Sequence, residues 1–113
     1  MNANHFFWEL ENYENGPAVA KLLRRYPDAL DKLLKMGFIP LSGDVLGCSR
    51  ENGLALKIEF EMGQGTWTGT SIVAWREPMC EYDWQETFER LDLDVIVSKI
   101  ERFLMQHYFS GLE

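Results

Sequence analysis

The chain has 113 residues, a formal net charge of −7 and a pI near 4.8, from 11 Lys and Arg against 18 Asp and Glu. Its 46% hydrophobic and 26% charged residues are globular proportions, so a disordered chain is excluded and one domain over residues 1–113 is expected. The acidic balance counts against a nucleic-acid binder, because counterion release needs clustered Lys and Arg.

The first nine residues, Met1 to Glu9, carry no basic segment and no uninterrupted apolar stretch, so no secretory leader is expected there. No run approaches the ~20 apolar residues of a membrane span. Cys48 and Cys80 are 32 positions apart and match no CxxC pattern, which points to two reduced thiols and a cytoplasmic location.

The first third carries helix signals. Asn4 is placed to cap a short helix bearing Phe6, Phe7, Leu10 and Tyr13, which Asn15-Gly16 stops. Pro17 suits the first turn of a second helix, whose Val19, Leu22, Leu23 and Tyr26 recur at three-to-four spacing. Pro27 removes a donor and pushes Tyr26 out of the α region, so a break is expected before a third helix. That helix has Asp28 in its first turn, Lys32 and Lys35 toward its end, Leu30, Leu33 and Leu34 inside, and Gly37 beyond its last turn.

The period then changes. Leu54, Leu56, Ile58, Phe60 and Met62 alternate with Ala55, Lys57, Glu59 and Glu61, a strand with one core face and one wet face. Asn52-Gly53 predicts a hairpin to a partner strand over residues 45–50. After Gly63-Gln64-Gly65 comes a β-prone run over residues 66–75. Trp67 and Ile72 cannot share a face in an unbroken strand, so a bulge at Gly69 is expected between them. Residues 38–41 and 87–91 are candidate edge strands. Asp92 opens a final helix whose Leu93, Ile96, Val97, Ile100, Phe103, Leu104 and Tyr108 form one stripe, with Gly111 expected to end it. The fold class is α+β: N-terminal helices, a three- to five-stranded mainly antiparallel sheet, and one long C-terminal amphipathic helix.

Candidate chemistry is sparse. Zinc ligation by Cys48, Cys80, His5 and His107 lacks the paired local spacing of structural zinc sites. A Cys/His nucleophile has no flanking motif. The Gly63 to Gly69 segment joins two strands and opens no helix, so it reads as a hairpin and not a phosphate loop. Glu59 and Glu61 share a strand face, which reads as solvated surface. His5 belongs to a first helical turn and His107 to the border of the final stripe. No catalytic residue, metal or cofactor is therefore assigned, and an enzyme is not expected.

Charge segregation is more informative. Residues 76–94 hold seven acids and two bases, whereas residues 21–35 hold five bases and two acids. Within the acidic segment, aromatics alternate with carboxylates, which is the composition of an interface that steers a basic partner. The partner-binding residues expected are Glu77, Glu81, Tyr82, Asp83, Trp84, Glu86 and Glu89. These features suggest a small module that occludes a basic protein, in the style of an immunity protein, an antitoxin or a phage-encoded inhibitor. It would act as a monomer or homodimer, without nucleic acid or membrane. A dimeric secretion-type chaperone is the alternative, and a small Cys/His or carboxylate enzyme stands behind it.

Overall fold

The computed structural model describes residues 1–50, 53–76, 82–89 and 92–112, with side chains up to residue 106. Four helices and a five-stranded antiparallel sheet follow in the order α1 (Ala3–Glu11), α2 (Gly16–Arg24), α3 (Pro27–Met36), β1 (Ile39–Pro40), β2 (Val45–Ser49), β3 (Leu54–Gly63), β4 (Thr66–Arg76), β5 (Tyr82–Glu89) and α4 (Leu93–Leu112). The α+β arrangement is the one expected.

Local chemistry explains most element ends. Asn2, not Asn4, caps α1, its side chain accepting from the His5 amide at 2.8 Å. Asn4 lies inside the first turn instead. Pro17 occupies the first turn of α2, and Pro27 that of α3 after Tyr26 leaves the helical region at φ −129°, ψ 66°. Gly37 ends α3 at φ 93°, a conformation that a β-carbon would strain. Asp92 caps α4 by accepting from the Asp94 amide at 2.8 Å. The helix then continues through Gly111 to Leu112, so that glycine does not stop it where expected.

The sheet is a meander in the order β1-β2-β3-β4-β5, every pair antiparallel. The β3–β4 hairpin closes on Gln64 and Gly65, both at positive φ (53° and 78°), as a two-residue primed turn requires. A register shift sets Glu61 opposite Gly69 and Met62 opposite Trp67, so Thr68 is the extra residue of a bulge beside Gly69. Trp67 and Ile72 thereby reach the same side of the sheet. Trp67 packs on the core, meets Tyr26 edge-to-face, and donates its indole N–H to the buried Thr70 hydroxyl at 3.0 Å.

One face of the sheet carries the helices. Leu54, Leu56, Ile58, Phe60, Ile72, Ala74 and Phe88 form a continuous core with Phe6, Leu10, Leu23, Leu33, Ile96, Val97, Ile100 and Leu104. Apolar residues at alternate strand positions meet apolar stripes at helical spacing, which buries both. The opposite face has no helix against it among the described residues.

Candidate functional site

The strand register arranges the uncovered face in four rows. Ser49, Ala55, Trp75 and Tyr82 form the first, and Gly47, Lys57, Val73 and Gln85 the second. Val45, Glu59, Ser71 and Thr87 form the third, and Glu61, Gly69 and Glu89 the fourth. The face therefore grades from aromatic and aliphatic at one end to acidic at the other. Lys57, Glu59, Ser71, Val73, Trp75 and Tyr82 line a shallow groove of about 380 Å³. Leu41 extends the apolar end: a β-carbon on Gly47 would come within 2.4 Å of it, so the glycine lets Leu41 lie across the sheet. Ile39, Leu41 and Tyr82 remain 42%, 47% and 61% exposed.

The expected interface segment is a strand from Tyr82 onward, beginning five residues before the edge strand expected over residues 87–91. Of the expected partner-binding residues, Glu77 and Glu81 lie outside the described residues, as do Arg90 and Leu91. The other five are divided between two faces. Tyr82 pairs with Trp75 while Trp84 pairs with Ala74, so Asp83 is an extra residue between them. This bulge breaks the rule that residues two apart share a face. Tyr82 consequently lines the open groove, whereas Trp84 turns to the helices and stacks on Phe103 at 4.9 Å. Asp83 accepts from the Arg76 guanidinium at 3.1 Å. Glu86 accepts from the Trp84 indole at 3.3 Å, and Glu89 is exposed in the acidic row.

Trp75, Val73, Ala55 and Leu41 complete the apolar end, and sequence reasoning did not include them. Their signal was strand parity. Trp75 is three positions from the inward Ile72 and so must face outward if β4 is regular there.

The other candidates are dispersed. Cys48 is buried and free, and its Sγ donates to the Met36 carbonyl at 3.2 Å, which Arg50 also reaches at 3.3 Å. Burial pushes its thiol above the ordinary value, although the Arg50 charge opposes this. Cys80 and the His107 side chain lie outside the described residues. His5 pairs with Glu9 at 3.3 Å and stacks on Trp8, both on α1. Glu59 and Glu61 do share the exposed face of β3, and Glu61 accepts from Ser71 at 3.3 Å. Among the described residues, no three His, Cys, Asp or Glu side chains gather as a metal site.

The basic segment is partly neutralised where it stands. Arg24 meets Glu11 at 2.6 Å and lies over the Phe7 ring at 4.2 Å, while Lys32 reaches Glu101 at 3.8 Å. Lys35 pairs with Asp31 at 2.8 Å, a hydrogen bond that raises its pKa. No family model, curated protein or solved structure matches the chain.

Proposed function

We propose that this chain is a small acidic protein-binding module that occludes a basic protein partner with the open face of its sheet. The observation that supports the reading is the gradient on that face. Trp75 and Tyr82 supply rigid aromatic area beside Val73 and Ala55, and Glu59, Glu61 and Glu89 supply negative charge a few rows away. Aromatic anchors provide most of an interface's affinity, while rim carboxylates accelerate the approach of a cationic surface. Lys57 is the one cation among the sheet-paired residues of this face, so the face is acidic like the chain as a whole.

The test compares two baits in lysate of the source cell: the native protein and a Tyr82→Ala/Glu59→Lys variant with the same melting temperature. A basic protein that the native bait retains, moderate salt releases and the variant fails to retain supports the reading. Equal retention by both baits overturns the assignment to this face. Retention of nothing by either overturns the binding module. A concentration-independent dimer by sedimentation, with Tyr82 protected from modification, would instead favour the chaperone reading.

A further inference from the structure

We infer that the partner of this module contributes an extended segment carrying Lys or Arg, which adds to β5 as a sixth strand; the inference rests on the proposed binding of a basic protein. The sheet has two edges, and they differ. β1 is two residues long and contains Pro40, which has no N–H to offer. Among the described residues, β5 spans eight and pairs only with β4.

The ladder determines which groups β5 presents outward. Arg50 donates to Leu54 and Phe60 donates to Asp44, both at 2.8 Å, so the even positions of β3 bond to β2. Bonding alternates along an antiparallel strand. The odd positions of β3 therefore bond to β4, and Thr70, Ile72 and Ala74 of β4 bond to Phe88, Glu86 and Trp84 of β5. The N–H and C=O groups of Gln85, Thr87 and Glu89 point away from the sheet. No described residue covers them with a hydrogen bond.

Charge selects the occupant. Glu89 stands on the open side of this edge, while Glu86 lies on the helical side, where Lys99 sits 5.9 Å from the Phe88 ring. Opposite charges on paired strands stabilise and like charges facing each other do the reverse. A second copy of β5 would place two sets of carboxylates along one seam in a chain already at −7. A segment alternating Lys with β-branched residues keeps its cations on one face, and with that face continuing the open side they meet Glu89. Main-chain bonds to Gln85, Thr87 and Glu89 then supply affinity, and side chains of alternate residues continue the open face beyond Tyr82.

The probe is a fluorescein-labelled, end-capped octapeptide of alternating Lys and Val, titrated by anisotropy, with a Glu/Val peptide as control. Gln85→Pro and Thr87→Pro each remove an outward N–H and leave the β4 ladder whole, so circular dichroism and melting should stay native. Saturable binding of the Lys/Val peptide, about tenfold weaker in each proline variant and absent for the Glu/Val peptide, is expected. Equal affinity of wild type and folded proline variants overturns strand addition, as does the absence of saturable binding to wild type. Weakening by proline with no response to Tyr82→Ala/Glu59→Lys would retain the edge and overturn the open-face reading instead.

Discussion

The two faces of the sheet both carry bulky apolar side chains but use them differently. On the covered face, Leu56, Ile58, Ile72 and Ile100 are wholly buried against one another. On the open face, Trp75 and Val73 are half-buried and Tyr82 is exposed, with no helix above them among the described residues. The first face is occupied by this chain's own helices. The second leaves apolar area that contributes no comparable folding energy, and it is the face to which we propose partner binding.

Substitutions sharpen that contrast. Ile100→Ala on the covered side should cost about 2–5 kcal/mol of unfolding free energy in a urea titration, because it leaves a cavity in a close-packed core. An unchanged midpoint would break the assignment of α4 to the core. Trp84→Ala and Tyr82→Ala remove aromatics two positions apart. The first should cost roughly 1–3 kcal/mol through lost packing on Phe103, and the second should stay within about 0.5 kcal/mol. Equal losses would mean that the Asp83 bulge does not separate the two rings.

Cys48 offers a gentler probe of the covered side. Its folded thiol titrates above the ordinary value, so the native state favours the protonated form. The contribution to stability is complete below the unfolded pKa of about 8.5 and is lost as pH rises toward the folded value. In a Cys80→Ser chain, alkylation near neutral pH should run slower than for an unfolded control, and melting should fall as the buffer becomes alkaline. Alkylation as fast as the control would show that the thiol is not buried. The smallest effect on stability should come from Glu59→Lys with Glu89→Lys, within about 0.5 kcal/mol. That pair should nevertheless slow partner association and flatten its dependence on salt, as stopped-flow at several ionic strengths would read.

Much of the fold was legible because its signals are local. Pro17, Pro27 and Asp92 mark helix starts through missing donors or capping oxygens. The strict alternation of residues 54–62 fixes which side of β3 is apolar, and the parity conflict between Trp67 and Ile72 exposes the Gly69 bulge. The candidate site was less legible. Tyr82 and Trp84 look like a pair in the chain, and only the register of β5 on β4 reveals the extra Asp83 between them.

Composition, charge and periodicity by themselves determined an acidic α+β domain with an antiparallel sheet and an amphipathic last helix. They did so because burial requires a period of two in strands and near 3.6 in helices, and those periods are written residue by residue. Tertiary structure alone decided the strand order and that Trp75 replaces Trp84 beside Tyr82. Those outcomes depend on which backbone groups pair across distant segments, and a one-residue shift in such pairing moves a side chain to the other face.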